Sequence, residues 1–266
     1  LATKKVNYGG TTLNEMQELA AQPVPKDGAA VHAGFNSYVD AVLLMAASRR
    51  LPQYTANLRH GVWQQSGLKA ASMPPNFCMG TRLNGKTLGL WGFGSVGQMV
   101  ATYGHAFGMR VLIWGSEHSR QRAADAGFAV AANKEQLFSE SDFLSLHLRL
   151  LADTRGLITL SDLCLMKPTA VLINTSHAEL LQTDVLVTAL NRGRPGMAAI
   201  DVLDSEPVLP GNTLLRLENC LCTPHIGHVE REAYEHDFNE AFDSILAFIA
   251  GQPVNLVNPQ ALRMPR

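Results

Sequence analysis

Short apolar runs alternate with amphipathic stretches from about residue 87 to residue 223. The apolar runs predict strands at residues 87–91, 109–114, 128–131, 142–148, 170–175, 197–203 and 220–223. Helical spacing between them predicts helices over residues 95–107, 119–126, 161–166 and 183–191, and a short one that begins at Asn133. Strands that alternate with helices in this way predict an α/β fold with a doubly wound parallel sheet, Rossmann-like in type.

Helical patterns also flank this region. Residues 38–51 and 53–64 predict helices, and residues 65–84 have the composition of a linker. Thr12 followed by Glu15 is typical of a helix start.

Two details of the later helices can be predicted from side-chain chemistry. Thr183 is expected to cap the helix of residues 183–191. Residues 229–250 predict a long helix, and we expect its recurring apolar residues on a buried side: Phe238, Phe242, Ile245 and Ile249.

A glycine-rich turn joins the first strand of the alternating region to the first helix. Gly92 permits a tight turn, Gly94 lets the backbone approach a diphosphate, and Gly97 lets helix and strand pack closely. The N–H groups at the start of the helix would then face the anion. This pattern predicts a dinucleotide site, and the alternative is a tight turn without a ligand. The predicted contacts are Gly92, Phe93, Gly94, Ser95, Val96 and Gly97.

Composition limits the remaining possibilities. The chain has 266 residues, is 46% hydrophobic and carries a formal net charge of −1, so we expect neither a nucleic-acid nor a membrane partner. No apolar run approaches a bilayer span, and the chain shows no signal-peptide pattern. The four cysteines do not suggest a disulfide framework, so a reducing cytoplasm is expected.

Motifs at the strand ends, taken in order, resemble those of the D-isomer-specific 2-hydroxyacid dehydrogenases over about residues 30–253. The motifs are Gly85-Lys86-Thr87-Leu88-Gly89, Thr154-Arg155-Gly156-Leu157-Ile158, Met166-Lys167-Pro168-Thr169-Ala170, Asn174-Thr175-Ser176, Asp201-Val202-Leu203-Asp204-Ser205-Glu206-Pro207 and Thr223-Pro224-His225-Ile226-Gly227.

The resemblance implies that a dinucleotide-binding domain, residues 38–227, is inserted into a smaller flavodoxin-like substrate domain. Residues 1–37 would then be a remnant of the substrate domain, most of whose first half is absent from this chain, and residues 228–266 would return to it. Gly9 and Gly10 fall where the family binds the substrate carboxylate. The resemblance also implies a homodimer, formed through the helix region of residues 38–51.

By resemblance, His225 would be the acid/base of an NAD(P)-dependent oxidoreductase acting on a small 2-keto or 2-hydroxy acid, with Glu206 as its partner. An imidazole suits this role because it titrates near neutral pH. Without the motifs, His225 would be interpreted as a structural histidine. Asp201 would hold the nicotinamide amide, and further cofactor contacts are expected at strand ends, namely Leu148, Arg149, Thr175, Ser176 and Gly227.

His177 is the main departure from the family pattern. The family has an Arg here that binds the substrate's carboxylate and keto oxygen, whereas an imidazole is shorter and cannot bind in a bidentate manner. Two interpretations therefore remain open. The protein is an impaired or retuned enzyme in which His177 replaces the anion clamp, or it is an inactive nucleotide-binding homologue that acts as a dimeric scaffold or sensor.

The choice between NAD and NADP depends on the end of the second strand. Gly115 occupies the position where NAD-specific proteins place a carboxylate. Glu117 can reach the ribose, whereas Ser116, Ser119 and Arg120 can accept a 2′-phosphate. We favour NADP slightly, because the direct position lacks an acid.

The segment Cys220-x-Cys222-x-x-His225-x-x-His228 has residue types that can bind zinc. The two cysteines, however, lie in a predicted buried strand, where a small apolar Cys is common. We therefore predict no metal site.

Overall fold

The computed structural model describes residues 28–61 and 79–256, with side chains described from residue 36 onward. Its helices are α1 (Gly28–Ser48), α2 (Leu51–Arg59), α3 (Ser95–Ala106), α4 (Glu117–Asp125), α5 (Lys134–Glu140), α6 (Leu160–Leu165), α7 (Val185–Asn191) and α8 (Arg231–Ile249). Its strands are β1 (Thr87–Trp91), β2 (Arg110–Trp114), β3 (Ala129–Val130), β4 (Phe143–Leu146), β5 (Val171–Asn174), β6 (Met197–Ile200) and β7 (Cys220–Cys222). Short 3₁₀ helices lie at Ala178–Leu180 and Leu214–Arg216.

The seven strands form one parallel sheet in the order β3-β2-β1-β4-β5-β6-β7. The predicted doubly wound parallel sheet is thereby confirmed. The strand order reverses between β1 and β4, and ligands of such sheets bind in the crevice at this point, outside the carboxyl ends of the strands.

Alternating side chains of the strands build a separate hydrophobic core on each face of the sheet. Leu88 and Leu90 of β1 join the core beneath α1 and α3, whereas Trp91 joins the core beneath α5, α6 and α7. Each fully buried side chain of this size contributes about 1.5–3 kcal/mol. A Cβ at Gly104 would lie 2.5 Å from Leu88 Cδ2, so the absence of a side chain lets α3 pack closely on β1.

The N-cap residues of two helices were predicted from the sequence, and the prediction is confirmed for α5 but not for α7. Asn133 caps α5 as expected, since its side chain accepts a hydrogen bond from the Gln136 N–H. The prediction that Thr183 caps α7 is wrong, because the N-cap residue is Asp184, in a left-handed conformation with φ 58°. The physical reason is that the Gln182 N–H still donates to the Ile158 carbonyl, so the chain turns one residue later than expected.

The described chain divides into two compact units, and the boundary along the chain lies between Gly227 and His228. In the second unit, the prediction that α8 buries its apolar side is wrong for the four residues named. They are 53–75% exposed: Phe238, Phe242, Ile245 and Ile249. Periodicity reveals that a helix has an apolar side, but it carries no information on what covers that side.

Some predictions fall outside the described ranges: the helix start at Thr12, the linker up to residue 78, and the end of the helix predicted over residues 53–64. The residue 37/38 boundary proposed from the resemblance lies inside α1, which is continuous from Gly28 to Ser48. Of the helices in the described ranges, none combines the length and apolarity that crossing a bilayer requires.

Candidate active site

The glycine turn between β1 and α3 has the geometry of a phosphate cradle. Gly92 has φ +109°, and a Cβ there would lie 2.3 Å from the His147 carbonyl oxygen. A Cβ at Gly97 would lie 2.6 Å from the Gly92 carbonyl oxygen. Side chains are therefore excluded at both positions by the backbone itself.

Gly94, by contrast, has nothing within 4 Å of an added Cβ, so the space beside it is open. Gly94 is also the N-cap of α3, and no side chain caps that helix start. The first N–H groups of α3, from Ser95 onward, lack intrahelical acceptors and are suited to bind an anion. The open approach and the uncapped donors fit a diphosphate.

The end of β2 lies directly beside this turn. A Cβ at Gly115 would lie 3.2 Å from Ser119 Cβ and 3.6 Å from Gly92 Cα, which explains why a small residue occupies the position. Ser116 caps α4 by accepting from the Ser119 N–H. The Arg120 guanidinium lies over the Trp114 ring at 4.7 Å, and its Nε is buried without a hydrogen-bond partner.

The end of β5 is held by the Asn174 side chain. Its amide N–H donates to the His177 carbonyl at 2.8 Å, and its Oδ1 accepts from the Ser176 N–H at 3.1 Å. The Ser176 hydroxyl in turn donates to the Leu146 carbonyl of β4. These three hydrogen bonds fix the point at which the chain leaves the sheet. His177, which lies just beyond that point, is exposed. The Asn-x-Ser spacing is a local signal for such a turn.

A buried carboxylate that the sequence analysis missed ties α1 to the same edge. Asp40 Oδ2 accepts from Ser145 Oγ at 2.5 Å and from Thr175 Oγ1 at 3.2 Å. His147 Nε2 lies 3.8 Å from the same oxygen. Burial raises the pKa of the Asp40 carboxyl and lowers the pKa of His147, because burial disfavours the charged form of each.

Asp201, at the end of β6, organises the loop that follows β7. Its side chain is buried and accepts from Thr223 Oγ1 at 2.5 Å and from the N–H groups of Ile226 and Gly227, both at 2.9 Å. The carboxylate therefore holds both sides of His225, and the predicted contact to a nicotinamide amide stays a prediction.

His225 and Glu206 form the pair expected from the resemblance. His225 Nδ1 lies 2.7 Å from Glu206 Oε2, and Glu206 Oε1 accepts from the Leu203 N–H at 3.0 Å. The hydrogen bond with His225 is the main cause that lowers the pKa of the Glu206 carboxyl. Glu206 is therefore ionised at neutral pH and accepts the Nδ1–H of the imidazole.

A cavity of about 190 Å³ brings the predicted catalytic residues together. It is lined by His177, His225, Glu206, Asp204 and Glu179, among others. All leave the sheet at its carboxyl edge, the edge that also carries the glycine turn, because the strands are parallel. The cavity is thus an acidic site with two imidazoles.

The remaining predicted site residues that the structure describes are not among those that line this cavity. Leu148 and Arg149 follow β4 at the same edge, and Arg149 is exposed. Glu117 lies in the exposed first turn of α4. Gly9 and Gly10 lie outside the described residues.

In the described ranges, no group of three or more His, Cys, Asp or Glu side chains is arranged to hold a metal ion. The sulfur atoms of Cys220 and Cys222 nevertheless lie 3.6 Å apart. This contact involves two sulfur atoms and does not extend to a larger ligand set.

Comparison with known proteins identifies the family to which this chain belongs. Residues 41–227 match the family described as D-isomer specific 2-hydroxyacid dehydrogenase, NAD binding domain. The chain belongs to this family of oxidoreductases.

Individual relatives agree with this assignment. Glyoxylate reductase of Aeropyrum pernix is 37% identical over 223 residues, which are 84% of this chain and 65% of that protein. A solved oxidoreductase from Ralstonia solanacearum, provisionally described as a D-3-phosphoglycerate dehydrogenase, is 58% identical with a TM-score of 0.84, over 87% of this chain and 68% of that one. D-Lactate dehydrogenase from Aquifex aeolicus, solved with NAD and lactic acid, is 26% identical with a TM-score of 0.70, over 83% of this chain and 67% of that one. The chain thus spans about 65% of the length of the curated relative.

Proposed function

We propose that the protein transfers hydride between a nicotinamide dinucleotide and a small 2-keto or 2-hydroxy acid. The observation that carries this proposal is the Glu206–His225 pair, at 2.7 Å, in a cavity on the same sheet edge as the glycine turn. The relatives named above, a glyoxylate reductase and a D-lactate dehydrogenase among them, support this substrate class.

The bound nicotinamide would supply or accept the hydride, and the protein's residues would manage the proton. Glu206 holds the imidazole through Nδ1, so Nε2 is the atom that donates a proton to the carbonyl oxygen during reduction. The Ile226 and Gly227 N–H groups donate to the Asp201 carboxylate, and these hydrogen bonds keep His225 in place during this transfer. The turn at Gly92, Gly94 and Gly97 would bind the diphosphate.

His177 supports a weakened version of this reaction. It lines the cavity in the position where the family pattern has Arg, and an imidazole is shorter than a guanidinium and cannot bind a carboxylate in a bidentate manner. Since Glu179 and Asp204 line the same cavity, its unaided affinity for a carboxylate is low. We therefore expect a high KM for 2-keto acids.

The test is NADH and NADPH oxidation with glyoxylate, hydroxypyruvate and pyruvate. We expect His225→Asn to lower kcat by about 10²–10⁴-fold while nucleotide affinity is retained. His177→Arg is expected to lower KM by at least about tenfold, because a bidentate guanidinium replaces the imidazole. If the His225→Asn variant kept the kcat of the wild type, the acid/base role of His225 would be rejected.

The alternative function is nucleotide binding without catalysis, as a dimeric scaffold or sensor, and His177 is the observation that favours it. Fluorescence titration with NADPH separates the two. Binding without turnover in the wild type, with turnover in His177→Arg, would support the alternative. Absence of nucleotide binding in both proteins would reject both functions.

Our preference for NADP rests on the end of β2. Ser116 and Ser119 provide hydroxyls, and the buried Arg120 Nε lacks a partner in the structure. A 2′-phosphate would provide that partner and a charge-assisted bond. We expect Arg120→Gln to weaken NADPH binding by about tenfold and to leave NADH binding within about twofold. An equal loss for both cofactors would contradict the preference.

The proposed homodimer would use α1. Tyr38, Val42 and Met45 on this helix are 47%, 54% and 40% exposed, and Leu51 of α2 is 58% exposed. Apolar side chains exposed side by side are typical of an interface. We expect Val42→Glu to convert a dimer to a monomer in analytical ultracentrifugation, with Leu165→Glu, on α6, as the control.

A further inference from the structure

Two cysteine side chains lie side by side on β7 and take no part in the proposed reaction. Cys220 and Cys222 are two residues apart on a strand, so they point to the same face, and their sulfur atoms are 3.6 Å apart. Both are half-buried, and both pack against the core formed by α5, α6 and α7. Leu221, between them, packs against the opposite core.

β7 is an edge strand, which matters for what the two thiols can do. Within the described sheet it pairs only with β6, over three residues. The Cα atoms of residues i and i+2 on a strand lie about 6.6 Å apart, close to the upper limit of about 6.8 Å for a disulfide. A modest local bend of an edge strand therefore brings the two residues within bonding geometry.

We propose that Cys220 and Cys222 are an oxidation site for peroxides, at which the two thiols close to an intrastrand disulfide. The two sulfur atoms lie within hydrogen-bonding distance, and this contact lowers the pKa of the Cys222 thiol. The same contact, followed by burial, raises the pKa of the Cys220 thiol. Cys222 is accordingly the attacking sulfur and Cys220 the resolving one.

The reaction balances with hydrogen peroxide as the oxidant. The Cys222 thiolate attacks one peroxide oxygen, the O–O bond breaks, hydroxide leaves and a sulfenic acid forms. The Cys220 sulfur then attacks the Cys222 sulfur, which forms the S–S bond and releases the sulfenic oxygen as water. In sum, two thiols lose two electrons and two protons, and one peroxide is reduced to two waters.

Closure of this disulfide acts on the adjacent loop. Thr223 follows Cys222 directly, and its hydroxyl donates to Asp201, which also accepts from the N–H groups of Ile226 and Gly227. A disulfide typically places its Cα atoms about 5.5–6 Å apart, so closure shortens the strand by up to about 1 Å. This displacement loosens the bonds to Asp201.

The experiment treats the reduced 266-residue chain with stoichiometric hydrogen peroxide and maps the peptides by mass spectrometry. We expect a loss of about 2 Da on the peptide that holds both cysteines, reversed by dithiothreitol. We expect Cys164→Ser to keep this change and Cys222→Ser to lose it. Amides of residues 226 and 227 should exchange with deuterium at least about tenfold faster in the oxidised protein, because their acceptor is displaced.

Each result decides one part of the proposal. Overoxidation of Cys222 with Cys220 left as a thiol would overturn the dithiol site, as would a disulfide to Cys78 or Cys164. The wild-type peptide map decides this alone if a serine variant does not fold. A disulfide formed without faster exchange at residues 226 and 227 would overturn the link to the loop. These measurements involve no substrate or nucleotide, so failure of the proposed enzyme activity does not affect them.

Discussion

Replacement of Asp201 by Asn removes the charge that holds the loop around His225 without changing the size of the side chain. The carboxylate accepts three hydrogen bonds, from Thr223 Oγ1 and from two backbone N–H groups, and it is buried. An Asn side chain has one acceptor oxygen, so in either orientation its NH₂ group faces a donor. The perturbation therefore leaves at least one buried N–H without an acceptor.

The magnitude follows from these three bonds. In the better orientation, Asn keeps the oxygen that serves Thr223 and Ile226 and turns its NH₂ toward the Gly227 N–H. The lost charged bond and the unsatisfied N–H cost about 3–5 kcal/mol together. We expect Asp201→Asn to lower the free energy of unfolding by this amount, and to lower kcat because His225 is no longer held.

The assay is urea unfolding followed by tryptophan fluorescence, with kcat measured in parallel. Asp204→Asn is the matched control, because Asp204 lies on the same loop and is exposed. Because Asp204 is exposed and accepts none of the bonds that hold the loop, neutralising it should change the unfolding free energy by less than about 0.5 kcal/mol. Equal stabilities of the Asp201 variant and the control would refute the reasoning.

Three further predictions concern other parts of the chain. Gly92→Ala should abolish nucleotide binding in a fluorescence titration, since its Cβ would meet the His147 carbonyl oxygen; retained affinity would contradict the geometry. Glu206 has a lowered pKa, so its stabilising effect is complete above its ordinary value of 4.5 and is lost as pH falls through its lowered value. The difference in unfolding free energy between wild type and Glu206→Gln should therefore vanish in acid, and a difference that persists at pH 2–3 or is absent at neutral pH would refute the pairing with His225. Asp162→Ala removes the capping box with Thr159 and a salt bridge to Lys134, and it should cost about 1–2 kcal/mol in urea unfolding; a neutral result would reject the cap.

Local sequence signals predicted much of the fold. The apolar run at residues 87–91 coincides with β1, and the glycine spacing correctly predicted a turn into a helix. Both succeed because the cause lies within a few residues: a continuous apolar run, buried on both faces of the sheet, in one case, and backbone space in the other. The Glu206–His225 pair was expected only through the family motifs, since its members are 19 residues apart.

Long-range contacts were not predictable from one sequence. The bonds of Asp40 to Ser145 and Thr175 span 105 and 135 residues, and nothing in the local pattern around Asp40 indicates either partner. The start of α7 at Asp184 depends likewise on a bridge between Ile158 and Leu181. The exposed side of α8 shows the same limit, because burial depends on neighbours that periodicity does not name.

The carboxylate of Asp40 has a consequence for any attempt to isolate the nucleotide-binding half of the protein. A fragment cut at Thr87 would retain every strand of the described sheet but would leave the Ser145 and Thr175 hydroxyls without their shared acceptor. It would also uncover the apolar surface on which Leu43 and Leu44 rest. The helix that precedes the sheet in the chain is thus an integral part of its architecture, and a minimal recombinant piece has to begin upstream of it.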